Sequence, residues 1–87
     1  MANYSVVFTK SAFKEIGRID SNAGRERILK RIDDLSANPR PDGSKKLKGF
    51  HDRYRLRQGD FRVLYEIRDR ILVVTVIEIG NRKEIYR

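Results

Sequence analysis

The sequence contains no cysteine, no tryptophan and a single histidine. Without cysteine the chain forms neither a disulfide nor a thiolate metal site, and with one histidine it cannot build a Cys–His dyad or a histidine pair. These absences exclude cysteine-dependent nucleophilic sites and most zinc sites. A chain without cysteine suits a reducing compartment, so we expect a cytoplasmic protein.

Long apolar runs and glycine-rich loops are also missing. No apolar run approaches about 18 residues, so no transmembrane helix is predicted. The first eight residues lack the basic and apolar regions of a signal peptide. The six glycines are isolated from one another, which excludes a phosphate-binding glycine loop. The acidic residues form no cluster suited to Mg²⁺. We therefore expect no cofactor, no metal and no membrane association.

The chain does contain a large excess of positive charge. Its formal net charge is +8 over 87 residues, and 39% of them are hydrophobic. That length predicts one domain, spanning residues 1–87. Such an excess of charge favours nucleic acid, an anionic membrane or an acidic protein as the partner. The basic residues are not confined to one amphipathic helix, which argues against the membrane, and nucleic acid leads.

Residues 54–66 predict a β-hairpin. Alternating runs flank Gln58-Gly59, so we place a two-residue turn there, with Arg55 opposite Arg62. One face then carries the predicted core residues Tyr54, Leu56, Phe61, Val63 and Tyr65. The other face carries Arg53, Arg55, Arg57 and Arg62. Like charges facing each other destabilise a sheet, so this gathering indicates a polyanion bound there; a solvated face is the alternative.

Two helices are predicted before the hairpin. Tyr4–Phe8 reads as a first strand, and Thr9 as the N-cap of a helix over Lys10–Ile19. In that helix one side carries Phe13, Ile16 and Ile19. A second helix is predicted over Arg25–Ser36. Its apolar side carries Ile28, Leu29, Ile32 and Leu35.

The remaining segments complete an α+β domain. Lys45–Phe50 is a short basic stretch in which Leu47 and Phe50 are expected to anchor to the core. The run Ile71–Ile79 is apolar at nearly every position, which predicts a central strand covered on both faces and ended by Gly80. The order β-α-α-β-β-β predicts a mostly antiparallel sheet with a helical pair packed on one face.

Arginine and tyrosine are the reactive side chains that remain. Arginine is a poor proton acceptor, but it binds phosphate bidentately and neutralises charge that builds on a phosphorane. Tyrosine stacks on a base or hydrogen-bonds to phosphate. These groups suit metal-free RNA cleavage, in which the 2′-hydroxyl attacks its own phosphate. His51 beside Asp52 is a candidate general base, although a lone histidine in a polar loop is usually not catalytic.

Several motifs together resemble one family. They are Lys46-Leu47-Lys48-Gly49, Tyr54-Arg55-Leu56-Arg57, residues 59–65 and residues 80–86. These stretches are similar to the RelE toxins of the RelE/ParE superfamily, and the length and element order also match. The resemblance implies a RelE-like fold and the toxin of a type II toxin–antitoxin pair. It implies a ribosome-dependent, metal-independent mRNA endonuclease that cuts in the ribosomal A site and inhibits translation. The implied partners are a RelB-like antitoxin, the ribosome and mRNA.

The resemblance also implies roles for particular residues. Arg62 matches an arginine that holds the scissile phosphate, and Arg82 matches one that stabilises the transition state or leaving group. Tyr86 matches a tyrosine that stacks on a base. Arg55 and Arg57 occupy positions that are lysines in the best-studied branch of the family.

The two lysine-to-arginine differences leave the general base unassigned, because arginine does not give up its proton. The residues expected to contact RNA phosphates are Lys45, Lys46, Lys48 and Arg53, with a solvated surface as the alternative. A second function stays open, that of a ParE-like toxin, which shares the fold and inhibits DNA gyrase by binding without nuclease activity.

Overall fold

The computed structural model describes residues 3–81, which form two helices and five strands. In chain order these are β1 Ser5–Phe8, α1 Lys10–Gly17, α2 Asn22–Asp34, β2 Lys45–Lys46, β3 Arg53–Gln58, β4 Phe61–Arg68 and β5 Val73–Asn81. The predicted order is confirmed with one addition, the two-residue strand β2. Neither helix is long and apolar enough to cross a membrane.

The sheet has the strand order β1-β5-β4-β3-β2. β1 runs parallel to β5, and the other three pairs are antiparallel. The predicted central position of the last strand is confirmed, because β5 lies between β1 and β4. The predicted covering of both its faces is wrong for the described residues. Glu78 is exposed, and Val73 and Ile77 are only half-buried.

The core lies between the two helices and one face of the sheet. From the helices and the α1–α2 connection it takes Ala12, Ile19, Ile28, Ile32 and Leu35, and from the strands Leu56, Val63, Tyr65, Ile67, Val74, Val76 and Ile79. Tyr65 is fully buried, and its hydroxyl donates to the carbonyl oxygen of Pro39 at 2.9 Å. This bond joins the α2–β2 connection to the centre of the sheet.

The helices begin at hydroxyl N-caps. Thr9 Oγ1 accepts from the Ala12 amide at 3.1 Å, which confirms Thr9 as the cap of α1. The prediction that α2 begins at Arg25 is wrong, because Ser21 Oγ accepts from the Gly24 amide at 3.0 Å and starts the helix earlier. One hydroxyl cap there outweighs the low helix propensity of Gly24.

Two side chains predicted for the core lie outside it. Phe13 is 70% exposed. The buried side of α1 contains Ala12, and consecutive residues of a helix point about 100° apart. Leu29 is 39% exposed at the margin of the buried stripe of α2. The prediction for Phe13 fails because the buried side of α1 contains Ala12 instead, and the prediction for Leu29 fails because this residue lies at the edge of the buried side of α2.

The hairpin turn lies one residue further along the chain than predicted. Gln58 pairs with Phe61 and Arg57 with Arg62, so the loop is Gly59-Asp60 and Arg55 lies opposite Leu64. Gly59 has a φ of +60°, and a type II′ turn places glycine at this first loop position. The observed partner of Arg62 is Arg57, whereas the predicted partner was Arg55, two residues earlier on the same strand. Residues two apart on a strand share a face, so the predicted division of side chains between the two faces is confirmed.

A β-bulge interrupts β5 opposite β4. Leu64 pairs with Glu78 and Tyr65 with Val76, which leaves Ile77 as the extra residue. Side chains of the first helical segment bind the backbone here. Thr9 Oγ1 donates to the Ile77 carbonyl at 2.9 Å, and Glu15 Oε1 accepts from the Ile79 amide at 3.2 Å. The bulge therefore turns Ile79 into the core and Glu78 onto the opposite face.

A cluster of polar side chains lies beside the β4–β5 turn. Arg40 donates two hydrogen bonds to Asp69, at 3.2 and 2.8 Å, and one to the Tyr54 hydroxyl at 3.0 Å. The Tyr4 hydroxyl also donates to Asp69 at 2.6 Å. The hydrogen bonds from Arg40 and then Tyr4 lower the pKa of Asp69 from 3.8 to about 2. These contacts connect the start of the chain, the α2–β2 connection and the β4–β5 turn.

Candidate nucleic-acid interface

The sheet face opposite the helices carries a group of cations, and we call it the arginine face. The strand register places Lys45, Arg53, Arg55, Arg57, Arg62 and Arg68 on it. Two carboxylates share this face, Glu66 and Glu78. The sequence prediction that the hairpin arginines gather on one face is therefore confirmed, and β2 and β4 each add one cation.

Arg57 and Arg62 form an uncompensated part of this face. They lie directly opposite each other on β3 and β4, and neither makes a salt bridge with another residue of the range 3–81. Arg62 Nε is buried and has no hydrogen-bond partner among the described residues. An unpaired buried donor costs about 1–3 kcal/mol. An anion bound between the two guanidinium groups would remove that cost.

The row of Arg57 and Arg62 continues into Gly80. Arg62 pairs with Gly80 on β5, and glycine has no side chain to fill the space beside the guanidinium. A phosphate can therefore approach the backbone of β5 closely while Arg62 holds it from the neighbouring strand.

The far end of the arginine face is partly neutralised. Glu66 accepts a hydrogen bond from Arg68 Nε at 2.8 Å, and its other oxygen lies 3.7 Å from Arg53 Nε. The Arg53 guanidinium also lies 4.6 Å from the centre of the Phe50 ring. Phe50 is 48% exposed, so the prediction that it anchors to the core is wrong. Its ring instead packs against a cation on the surface.

The predicted RNA-binding lysines lie along one edge of the sheet. Lys45 pairs with Arg55 and Lys46 with Tyr54, so Lys45 belongs to the arginine face and Lys46 to its reverse. Lys48 lies in the following turn, and all three are exposed. Only Lys45 therefore lies in line with the hairpin arginines.

Two predicted site residues, Arg82 and Tyr86, lie outside the described residues. Arg55, Arg57 and Arg62 are thus the predicted catalytic residues that the structure brings together. His51 is exposed in the β2–β3 connection. Within residues 3–81 no three histidine, cysteine, aspartate or glutamate side chains converge as possible metal ligands.

Glu78 is the residue of this face that sequence reasoning missed. It stands between Ile77 and Ile79 in an apolar run, and simple alternation from Val74 and Val76 would point it into the core. Burying an unpaired carboxylate is very costly. That conflict was a signal in the sequence for a bulge at this position.

Two hollows of about 310 and 350 Å³ lie on the helix side of the sheet. The first is lined by Glu15, Ile19, Phe61 and Ile79, and the second lies between β1 and α2. The cations of the arginine face line neither of them. An open charged surface suits an extended polyanion better than a small enclosed ligand.

Comparison with known proteins agrees with this description. Residues 6–86 match the family model of the ParE toxin of the type II toxin–antitoxin system parDE. The mRNA interferase toxin RelE of Escherichia coli K12 is 33% identical over 87 residues, covering 95% of this chain and 90% of that protein. The toxin RelG of Mycobacterium tuberculosis is 26% identical over 84 residues, covering 97% of each.

Solved structures share the fold. The archaeal RelE–RelB complex from Pyrococcus horikoshii OT3 contains a chain with a TM-score of 0.82 and 29% identity, covering 92% of this chain and 96% of that one. The intact E. coli RelBE toxin–antitoxin complex gives a TM-score of 0.76 and 31% identity, covering 90% and 95%. The chain therefore belongs to the RelE toxins, within the RelE/ParE superfamily of type II toxin–antitoxin systems.

Proposed function

We propose that this toxin is a ribosome-dependent endoribonuclease that cuts mRNA in the A site without a metal ion and so inhibits translation in the cytoplasm. The observation that carries the proposal is the pair Arg57 and Arg62, which lie opposite each other. Within residues 3–81 neither of them has a carboxylate partner, and Arg62 Nε is buried and unpaired. Such an arrangement is unfavourable for stability and favourable for holding a phosphate. The name mRNA interferase, given to the E. coli relative, supports the same activity.

The chemistry assigns charge stabilisation to the arginines. In the proposed reaction the 2′-hydroxyl attacks the adjacent phosphate, and negative charge builds on the two non-bridging oxygens. Arg62 binds those oxygens, and Arg57 and Arg55 add positive charge from β3. Preorganised donors of this kind contribute about 10²–10³ in rate each. DNA lacks the attacking hydroxyl and is not a substrate for this route.

The remaining predicted residues complete the proposal. Arg82 stabilises the leaving group and Tyr86 stacks on a base, as the family resemblance implies. Lys45, Lys46, Lys48 and Arg53 contact phosphates of ribosomal RNA. Because Arg53 is already paired with Glu66, we expect Lys45 and Lys48 to contribute more to the salt dependence of ribosome binding than Arg53 does.

The test is primer extension on a translated mRNA, with ribosomes present or absent. We expect cuts within codons only when ribosomes are present, and loss of those cuts in Arg62→Ala. Arg27→Ala is the matched control, because Arg27 is exposed on α2, on the other side of the sheet. Ribosome-dependent cuts that persist at full rate in Arg62→Ala would contradict the role of the arginine pair.

A ParE-like function is the second candidate, because the family model that matches residues 6–86 carries the ParE name. In that case the arginine face would bind a protein and no RNA would be cut. Growth arrest without mRNA cleavage, together with inhibition of DNA supercoiling by gyrase, would establish this alternative. Normal supercoiling in the presence of the toxin would exclude it.

A RelB-like antitoxin is the proposed protein partner. The solved complexes from P. horikoshii and E. coli each pair a RelE chain with RelB. The net charge of +8 suits an acidic antitoxin. Co-expression with the neighbouring open reading frame should yield a complex, and failure to obtain one would contradict this proposal.

A further inference from the structure

We propose that Glu78 is the general base that takes the proton from the attacking 2′-hydroxyl. This inference rests on the proposed nuclease function and adds a residue that the family resemblance does not supply. The need for such a group is chemical. Arginine remains protonated at any working pH, so Arg55, Arg57 and Arg62 can stabilise charge but cannot accept a proton.

Only two carboxylates lie on the described part of the arginine face. Glu66 is held by Arg68 and Arg53, and 20% of its side chain is exposed. Glu78 is exposed and makes no salt bridge with any residue in the range 3–81. Within the described part of the chain, no ion pair therefore occupies its oxygens, and they can accept a hydrogen bond from a substrate.

The β-bulge at Ile77 places Glu78 beside the arginine pair. Glu78 pairs with Leu64, and the next residue of β5 on the same face is Gly80, the partner of Arg62. Glu78 and Arg62 are thus diagonal neighbours on adjacent strands, with a Cα separation of about 7–8 Å. The space above Gly80 lies between them. A phosphate held by Arg62 at this place would put its own ribose within reach of Glu78.

Contacts of α1 hold the bulge in position. Thr9 binds the carbonyl of Ile77 and Glu15 binds the amide of Ile79, the residues on either side of Glu78. Bulges of this kind re-aim side chains next to active sites. Here the re-aimed side chain is the one proton acceptor that the described part of the face leaves unpaired.

The proposed step balances as follows. The Glu78 carboxylate takes the proton of the 2′-hydroxyl while the 2′-oxygen forms a bond to phosphorus. The bond between phosphorus and the 5′-oxygen breaks, and the leaving oxygen takes a proton from solvent. The products are a 2′,3′-cyclic phosphate and a 5′-hydroxyl. Glu78 then returns its proton to solvent.

The charged groups that face Glu78 come from β3 and β4. Arg62 is its diagonal neighbour, Arg55 ends the row Glu78–Leu64–Arg55, and Glu66 lies further along β4 in its ion pairs. On this face β1 contributes Ser5 and Val7, which carry no charge. Among the described residues, the charges nearest to Glu78 in the strand register are therefore those of Arg62 and Arg55.

The experiment measures single-turnover mRNA cleavage on saturated ribosomes as a function of pH, for the wild-type chain and for Glu78→Gln. General-base catalysis contributes about 10²–10⁴ in rate, so we expect the cleavage rate to fall at least 100-fold. The wild-type rate should rise with pH until the carboxylate is ionised, and this rise should be absent in the variant. Glu26→Gln is the control for the charge change, because Glu26 is exposed on α2 and should leave the rate unchanged.

The outcomes separate this inference from the function on which it rests. If the wild-type chain cuts mRNA and Glu78→Gln cuts at the same rate, or binds ribosomes more tightly and cuts faster, Glu78 only offsets positive charge and the inference is wrong. If the wild-type chain makes no ribosome-dependent cut, the proposed function fails and the general base fails with it. A slow Glu78→Gln variant that keeps the wild-type pH rise would also overturn the assignment.

Discussion

Replacement of Arg62 by methionine should stabilise the fold while it removes activity. Methionine keeps an unbranched apolar side chain of similar reach along the sheet, but it lacks the guanidinium group. The Nε atom of that group is buried without a partner in the range 3–81, and Arg62 lies opposite Arg57. Both features oppose folding and disappear in Arg62→Met.

The size of the effect follows from these two contributions. An unsatisfied buried donor costs about 1–3 kcal/mol, and a like-charge pair directly opposite on two strands costs a few tenths to about 1 kcal/mol. Part of this cost is offset because Arg62 as a whole is only half-buried. We therefore expect the free energy of unfolding to increase by about 1–2 kcal/mol. For a domain of this size each kcal/mol raises Tm by about 4–8 °C.

Urea unfolding followed by circular dichroism measures this change, with Arg68→Met as the control. Arg68 is 57% exposed and paired with Glu66, so its replacement should change the free energy by less than about 1 kcal/mol. High salt screens the repulsion between Arg57 and Arg62 but does not give the buried donor a partner. The increase in the free energy of unfolding of Arg62→Met should therefore become smaller in high salt only by the part that comes from this repulsion. A free energy of unfolding that falls in Arg62→Met would refute the argument that this residue is retained at the expense of stability.

Three further predictions concern the parts of the fold that position the site. Tyr65→Phe leaves the Pro39 carbonyl without its donor and should lower the free energy of unfolding by about 1–2 kcal/mol in urea titrations; an unchanged value would show that water replaces the hydroxyl. Thr9→Ala removes the α1 cap and the bond to Ile77 and should cost about 1–2 kcal/mol, whereas Thr9→Ser should retain most of the stability. The pKa of Asp69 is lowered from 3.8 to about 2, so its ionised form contributes stability above about pH 4 that is lost as the pH falls towards 2. Asp69→Asn should remove this part of the acid sensitivity of Tm, and an identical slope in both proteins would contradict the assignment.

The sequence predicted the fold class and the arginine face because both depend on simple periodicity. Alternation between Tyr54 and Tyr65 fixed which side chains share a face, and an error of one residue in the turn did not change that result. The turn itself was misplaced because a glycine beside a polar residue does not show which of the two positions needs a positive φ. Gly59 takes the first position, and only the backbone geometry decides it.

The position of Glu78 could not be read from periodicity. A bulge adds one residue and reverses the alternation after it, so Ile79 and Glu78 exchange faces relative to a regular strand. The contacts that select the bulge come from Thr9 and Glu15, more than 60 residues away in the chain. A local pattern contains no information about such distant partners. The prediction that Phe13 is buried failed for a related reason, since the elements that pack against a helix decide which of its side chains are buried.

The parallel pairing of β1 with β5 has a consequence for folding during synthesis of the chain. Within the described residues, Ser5–Phe8 pairs with no strand except residues 73–76, so β1 cannot join the sheet until β5 has been synthesised. Contacts of such long sequence separation slow folding, because the intervening loop must close before they form. A chain interrupted before β5 would lack the partner of β1, the bulge and Gly80 together. Translation that stops before β5 should therefore release an inactive fragment, and toxicity should require a chain that includes β5.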